Sequence, residues 1–307
     1  MKSLTASLKD YLAIRRALDY ELEETERLLI HFIHFLAEKN EKHITIALAL
    51  EWAMQAKNVT RAYWSRRLSV VRLFAQYYQT EDQKTQVPPS HLLSQQPCRS
   101  HPYIYSDKQI SQLLIACQSL SSHGLREHTY FTFFGLMAVT GCRISELLSL
   151  DQEDFNKIDG WITIRNSKFN KSRLLPLHPT TLIQLNKYIK LRDQVHPHPL
   201  NDAFFLSDQG TRITKWSVRY AFIQLSKQIG LRTPSDSHGP RIHDIRHTFT
   251  VKSVLNWYRD DVDVNQKMPL LSAYLGHKKP SDTYWYLTGI PELLSQAAIR
   301  LEKQLGE

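Results

Sequence analysis

The sequence predicts a mainly α-helical protein with a helical amino-terminal domain and a larger, mostly helical domain that contains one small antiparallel β-sheet. Three observations lead to this fold class. Apolar residues recur at helical spacing through most of the 307 residues. A stretch rich in proline, glutamine and serine, from Thr80 to Pro102, interrupts that spacing. Two segments of alternating polarity on either side of a polar turn are typical of a hairpin.

The amino-terminal part, up to about residue 80, has the periodicity of packed helices. Apolar side chains share one side of residues 21–36, and the same spacing predicts helices over 46–56 and 61–78. Basic side chains mark the start and outer face of the last of these: Lys57, Arg61, Arg66, Arg67 and Arg72. For this segment alone, a solvated polar face is the favoured interpretation. The alternative is a helix that binds nucleic-acid phosphates and releases their counterions.

The segment between the two parts is predicted to be an extended linker. Proline fixes φ and disfavours helix at the residue before it. Four prolines lie in this stretch: Pro88, Pro89, Pro97 and Pro102. We therefore divide the chain into a helical domain over residues 1–82, a linker over 83–102 and a second domain over 103–307.

The second domain begins with a predicted helix after Ser106, whose hydroxyl is suited to cap it. An apolar helix over residues 130–139 is predicted to end at the turn Thr140-Gly141, and Arg143 begins the next helix. Strands are predicted over 161–165 and 173–177, joined by the polar turn 166–172. Further helices are predicted over residues 180–192, 214–229 and 244–257, and beyond Pro291.

Charge and cysteine content narrow the possible partners. A net charge of +9 indicates an anionic partner, with nucleic acid first and an acidic membrane surface second. Cys98, Cys117 and Cys142 have no metal-ligand spacing, and an odd number favours a reducing cytoplasm over a disulfide framework. The first residues lack the apolar core of a signal peptide, and no apolar run approaches a membrane span. We therefore expect a cytoplasmic, nucleoid-associated protein without a membrane partner.

Three separated motifs carry the residues suited to chemistry on a phosphodiester. They are Thr140-Gly-Cys-Arg143-Ile-Ser-Glu146-Leu, His243-Asp-Ile-Arg246-His247 and Leu275-Gly-His277, which is followed by Tyr286. Phosphodiester exchange without a metal needs hydrogen-bond donors aimed at the non-bridging oxygens of the phosphate. It also needs an acid that protonates the leaving oxygen and a nucleophile that attacks in line. Arginine meets phosphate bidentately and stays charged. A tyrosine attack stores bond energy in a covalent link, so we expect no cofactor.

Two spacings within these motifs have competing explanations. Glu146 follows Arg143 by three residues, so it either holds that guanidinium in place or forms an ordinary surface ion pair. His243 and Arg246 share one helix side. His243 and His247 have the i, i+4 spacing of a zinc site. Because Arg246 between them would repel a cation, we favour phosphate binding and predict no metal.

The motifs, in this order and spacing, resemble the signature boxes of the tyrosine recombinase (integrase) family over the whole second domain. The amino-terminal domain resembles, more loosely, the SAM-like core-binding DNA-binding domain of that family. The resemblance implies that Arg143 and Arg246 clamp the scissile phosphate. It also implies that His243 and His277 donate to that phosphate or assist proton transfer, with His247 in a supporting role.

The same resemblance assigns the nucleophile and the acid. Tyr286 follows His277 by nine residues, which is the family spacing, whereas Tyr284 is expected to pack. In the family, a lysine of the hairpin turn protonates the leaving 5′ oxygen, and Lys168 matches that position. Lys171 is the competing candidate, and either lysine could instead bind the DNA backbone.

These expectations amount to a site-specific recombinase that encircles double-stranded DNA and acts as a homo-tetramer on two recombination sites. The helix after Pro291 is expected to dock on a neighbouring protomer. A longer connection at residues 260–267 suggests integration or excision of a mobile element. The alternatives are a type IB topoisomerase, a non-catalytic DNA-binding regulator on the same scaffold, and a basic protein that binds nucleic acid through charge alone.

Overall fold

A computed structural model describes residues 3–93, 102–120, 124–167, 171–233, 235–236, 239–277 and 279–284, with Ser295, Ala298 and Glu302. The chain divides into two compact units, Met1–Ser100 and His101–Glu307. The described residues are mainly helical with one small antiparallel sheet, which confirms the predicted fold class. No helix among them is long and apolar enough to cross a membrane.

The first unit is built from helices packed around an aromatic core. They are α1 (Leu4–Ala17), α2 (Glu23–Glu38), α3 (Ile46–Met54) and α4 (Arg61–Tyr78). The hydroxyls of Thr45 and Thr60 cap α3 and α4 by accepting from backbone N–H groups. Phe32, Trp52 and Phe74 are fully buried between the helices. Burial of such large apolar side chains is the main force that holds the unit together.

The segment after α4 packs onto the first unit over residues predicted as linker. The carboxylate of Asp82 is buried and lies 2.8 Å from the Nδ1 of His43. The backbone N–H of Gln86 donates to the carbonyl of Ile44, and Leu93 joins the apolar core. The first half of the predicted linker is therefore part of this unit, and most of the rest lies outside the described residues.

The second unit combines helices with a three-stranded antiparallel sheet. Its helices are α5 (Asp107–Ala116), α6 (Arg126–Thr140), α7 (Ile144–Leu148), α8 (Pro179–Val195), α9 (Lys215–Gln228), α10 (Ile242–Arg259), α11 (Val264–Leu275) and α12 (Pro280–Tyr284). Its strands are β1 (Phe155–Asn156), β2 (Trp161–Ser167) and β3 (Lys171–Pro176), in the order β1-β2-β3. The phenylalanines Phe133, Phe134, Phe204, Phe205 and Phe222 form the centre of its core.

The connection between α10 and α11 is shorter than the sequence suggests. The predicted loop over residues 260–267 ends early, because α11 already begins at Val264. The side chain of Asp263 accepts from the backbone N–H of Asn265 and caps the helix. Pro269 lies inside α11, and a charged run precedes the helix. For these reasons the sequence did not predict this helix, which tertiary packing stabilises.

Two glycines in the left-handed conformation end the helices that lead into the candidate site. Gly141 follows α6 with φ +63°, and Gly276 follows α11 with φ +67°. A Cβ at Gly141 would lie 2.5 Å from the ring of Phe249. A Cβ at Gly276 would lie 2.9 Å from an Nη atom of Arg173. Only glycine fits both turns, and each turn presents its backbone carbonyl to an arginine.

Candidate active site

Two arginines bind successive carbonyls of the turn that follows α11. The Nη1 of Arg246, on α10, donates to the carbonyl of Gly141 at 2.8 Å, and its Nη2 donates to Leu275 at 2.6 Å. The Nη2 of Arg143 donates to the carbonyl of Gly276 at 3.0 Å. Arg246 is fully buried, whereas the side chain of Arg143 is 21% exposed. These bonds join three segments that are distant in sequence into one site.

A single buried carboxylate, that of Glu146, holds two guanidinium groups. Its Oε1 accepts from the Nη1 of Arg143 at 2.7 Å, and its Oε2 accepts from the backbone N–H of Arg143 at 2.9 Å. The Nη1 and Nη2 of Arg173 donate to the same two oxygens at 3.0 and 2.9 Å. Burial alone would raise the pKa of Glu146, but the hydrogen bonds and charges of Arg173 and Arg143 lower it to about 2. The carboxylate is therefore ionised at neutral pH.

Arg173 is a member of the site that our sequence reasoning did not include. It lies on β3 opposite Ile164, and its Nε donates to the carbonyl of Tyr274 at 2.7 Å. Arg173 shares the inward face of the strand with the buried Leu175, while Leu174 points outwards. An arginine on the buried face of a strand requires a carboxylate partner. The alternation of inward and outward side chains along β3 was therefore a signal that the sequence already carried.

His277 connects Arg246 to two buried hydroxyls. The Nε2 of His277 lies 2.9 Å from the Nη2 of Arg246. Its Nδ1 lies 2.7 Å from the hydroxyl of Thr283, on α12, and that hydroxyl lies 2.7 Å from the hydroxyl of Ser272, on α11. Neither hydroxyl was among the predicted site residues, because no pattern in the sequence marks a contact between separate helices.

His243 and His247, in the first two turns of α10, are neutral at pH 7. The rings of His243 and His247 meet edge to face, with their centroids 4.9 Å apart. Desolvation by the surrounding protein, followed by the charge of Arg246, lowers the pKa of His243 to about 4, although part of its side chain reaches solvent. Desolvation, followed by His243, lowers the pKa of the buried His247 to about 3. A neutral imidazole at this place can accept a proton.

The zinc alternative for these histidines needs further ligands. A structural zinc site has four ligands, and a catalytic one has three besides water. Within the described ranges, no group of three or more histidine, cysteine, aspartate and glutamate side chains lies together in a way that could hold a metal ion. The charge of Arg246 beside His243 also opposes a cation there.

The remaining predicted chemistry falls on residues that are not described. Lys168 and Tyr286 lie outside the described residues, as does most of the segment beyond Pro291 that is predicted to be a helix. Lys171 begins β3, where its backbone is the register partner of Ser167. The roles of Lys168, Lys171 and Tyr286 therefore stay predictions.

The predicted DNA-contacting side chains of the first unit differ in exposure. Four are exposed or partly exposed: Lys57, Arg61, Arg66 and Arg72. Arg66 forms an ion pair with Glu24. Arg67 instead is buried, with its guanidinium 3.9 Å from the centre of the Trp52 ring and its Nη2 donating to the Trp52 carbonyl at 2.7 Å. We correct the assignment of Arg67, because a guanidinium that packs in the core is not available to DNA.

Replacing Glu146 by glutamine is expected to destabilise the second unit by about 3–5 kcal/mol, because two adjacent guanidinium groups would lose their counter-charge. A folded-state pKa of about 2 lies below the ordinary value of 4.5. The carboxylate therefore stabilises the fold above about pH 4.5, and this contribution, on the order of 3 kcal/mol, disappears as the pH falls through 2. Urea unfolding at several pH values between 2 and 7 measures both effects.

The matched control for this experiment is Glu153→Gln. The side chain of Glu153 is 68% exposed and pairs with the exposed Arg165. Such a surface pair is worth at most about 1 kcal/mol. Equal destabilisation by the two substitutions would contradict the role given to Glu146.

Comparison with known proteins places these observations in context. Residues 104–289 match the model of the "Phage integrase family". The chain is 41% identical over 309 residues to the putative integrase/recombinase y4rB of Sinorhizobium fredii, covering 99% of this chain and 98% of that protein. It is 27% identical to the tyrosine recombinase XerD of Staphylococcus haemolyticus, covering 89% of this chain and 85% of that one.

A solved structure has the same fold. The integrase of transposon Tn1549, in complex with a circular intermediate DNA, superposes with a TM-score of 0.67 at 15% sequence identity. The match covers 99% of this chain and 100% of that chain. The shared architecture therefore extends over both units of the chain.

Proposed function

Because the chain belongs to the phage integrase family of tyrosine-type site-specific recombinases, we propose that it cuts and rejoins DNA through a 3′-phosphotyrosyl intermediate on Tyr286. One observation carries the proposal more than any other. Three guanidinium groups, those of Arg143, Arg173 and Arg246, converge on one turn with the single carboxylate of Glu146 among them. Three positive charges and one negative charge leave a net charge of +2, which suits an anionic phosphate.

In the proposed reaction, the two arginines Arg143 and Arg246 neutralise charge on the non-bridging oxygens of the scissile phosphate. The phenol of Tyr286 attacks the phosphorus, and neutral His243 accepts the phenolic proton. The bond to the 5′ oxygen breaks as the phosphotyrosyl bond forms, and Lys168 or Lys171 supplies the proton to the leaving oxygen. A 5′ hydroxyl of the partner strand then attacks the phosphotyrosyl bond and releases Tyr286, so no external energy source is needed.

The burial of Arg246 adds a condition to this sequence of events. Arg246 has no exposed surface in the free chain, whereas Arg143 is partly exposed. Direct contact between the phosphate and Arg246 therefore requires a rearrangement that uncovers the guanidinium. We propose that the phosphate meets Arg143 first and Arg246 after that rearrangement.

The biological role we propose is integration or excision of a mobile element by a homo-tetramer on two DNA sites. The family membership supports recombination between sites. The mobile-element role is supported by the name of the integrase/recombinase relative and by the fold shared with a transposon integrase. Four protomers on two sites are what the family resemblance implies.

We further propose that the outer face of α4 binds the DNA backbone. Arg61 and Arg72 lie eleven residues apart on α4, about three helical turns, so they share one face.

Replacing both by glutamine is expected to weaken DNA binding and to lower the slope of log K against log salt by about 1.8. Binding titrations between low and moderate salt measure that slope. The control Arg16→Gln removes an exposed arginine paired with Glu26 on another helix, and its slope should equal that of the unaltered protein.

The experiment that tests the proposed function uses nicked suicide substrates made from DNA flanking the coding region. Cleavage on such DNA is expected to leave a protein–DNA adduct that survives denaturation, with the protein on the 3′ phosphate. Relaxation of any supercoiled plasmid without a specific site would favour a type IB topoisomerase. Sequence-specific binding without adduct would favour a non-catalytic regulator.

A further inference from the structure

We infer that Thr283 is a positioning residue that holds the His277 ring in place and, through it, one of the contacts that position Arg246 before the phosphate reaches it. The inference rests on the proposed function, because orientation of Arg246 matters through the phosphate it would bind. It adds two hydroxyls, those of Thr283 and Ser272, to the machinery of the site.

The direction of each hydrogen bond in this chain follows from the arginine. A guanidinium has donors only and stays protonated. The Nη2 of Arg246 therefore donates to the Nε2 of His277, which presents a lone pair and carries no proton. The proton of the neutral imidazole is then on Nδ1, 2.7 Å from Thr283. The Thr283 hydroxyl accepts it and donates to Ser272 at 2.7 Å.

Arg246 excludes the other tautomer of His277, because that tautomer would bring two donors together. With the proton on Nε2, the N–H of His277 would face the N–H of Arg246, which is repulsive at 2.9 Å. Thr283 and Ser272 are both buried, so water does not take the place of the hydroxyl as a partner for Nδ1. Arg246 thus selects the tautomer, and the hydroxyl of Thr283 supplies the buried acceptor that the Nδ1–H of this tautomer needs.

The position of Thr283 gives this arrangement a consequence for the reaction. Thr283 lies on α12, three residues before Tyr286 in the sequence. His277 lies in the turn before that helix, and Ser272 lies on α11. One of the contacts that orient Arg246 therefore depends on the docking of α12, the helix that precedes the proposed nucleophile in the sequence.

The test compares Thr283→Val, which keeps the shape and removes the hydroxyl, with Thr283→Ser, which keeps the hydroxyl. The first readout is the ¹⁵N spectrum of the full-length protein labelled at histidine, without DNA, with His277 identified by the loss of its signals in His277→Gln. We expect a pyrrole-type Nδ1 and a pyridine-type Nε2 in the unaltered protein and in Thr283→Ser. In Thr283→Val, we expect the ¹⁵N signal of Nδ1 to shift, because the Nδ1–H loses its buried acceptor while Arg246 still faces Nε2.

The second readout is the rate of covalent adduct formation on the suicide substrate. Thr283→Val is expected to be about tenfold slower, because one buried hydrogen bond is lost, and Thr283→Ser is expected to recover most of the rate. Ser281→Ala, which removes an exposed hydroxyl from the same helix, is the control for α12 itself. Its spectrum and rate should be those of the unaltered protein.

Three results would overturn the inference. They are an Nε2–H tautomer in the unaltered protein, an unchanged His277 spectrum in Thr283→Val, and a shifted spectrum with an unchanged cleavage rate. A protein that forms no adduct on any substrate would contradict the proposed function instead. The spectra would then still decide whether Thr283 binds the Nδ1–H of His277, so the two failures are distinguishable.

Discussion

Replacement of Tyr286 by phenylalanine is expected to abolish the covalent protein–DNA adduct and to leave DNA binding unchanged. Phenylalanine keeps the ring and removes only the hydroxyl that would attack the phosphorus. Loss of a nucleophile lowers the rate by at least about 10⁴-fold in enzymes that use covalent catalysis. Adduct formation is measured on denaturing gels with end-labelled suicide substrates, and binding is measured by gel shift on the same DNA.

The sharpest control for this experiment is Tyr284→Phe. Tyr284 ends α12, two residues before Tyr286, and its side chain is exposed, so the expectation that it packs is wrong. The same chemical change at this neighbouring position should leave adduct formation intact. Loss of the adduct in Tyr284→Phe, with full activity in Tyr286→Phe, would identify Tyr284 as the nucleophile. An adduct that persists in both variants would exclude a tyrosine link at this end of the chain.

The parts of the fold that were predictable from sequence are those with a local signal. Helix α4 spans the predicted residues Arg61–Tyr78, because Thr60 caps it and its apolar residues keep one period. The hairpin of β2 and β3 follows from alternation, which also sets the register that pairs Trp161 with Pro176. In both cases the residues that decide the structure are neighbours in sequence or across a short turn.

The parts that were missed depend on contacts between distant segments. The burial of Arg67 is decided by Trp52, and the place of Arg173 in the site is decided by Glu146. Periodicity places both arginines on an inward face, but it does not identify the partner that allows a charge to be buried there. The Thr283 contact to His277 likewise depends on how α12 meets the turn before it. The motifs contain Arg143, Glu146 and Arg246, whereas the contacts that Arg173, Thr283 and Ser272 make required coordinates.

Arg246 is the residue whose replacement should affect cleavage most strongly after Tyr286, and its replacement should also lower stability. It is fully buried and donates to the carbonyls of Gly141 and Leu275, and its Nη2 also lies against His277. Lysine would keep the charge, but its single ammonium cannot reproduce the planar fork that reaches these acceptors. A buried acceptor left without its donor costs about 1–3 kcal/mol.

Arg246→Lys is therefore expected to lower the free energy of unfolding by about 3 kcal/mol and the cleavage rate by at least about 10³-fold. Urea unfolding measures the first quantity, and adduct formation at a temperature where the variant is folded measures the second. Arg241→Lys is the control, since Arg241 precedes the same helix, is 52% exposed and pairs with Asp244. If Arg246→Lys unfolds at lower urea but cleaves at the unaltered rate, Arg246 holds the turns together without contacting the phosphate. Because the stability loss arises from carbonyl acceptors and the rate loss from the phosphate, only the second effect bears on catalysis.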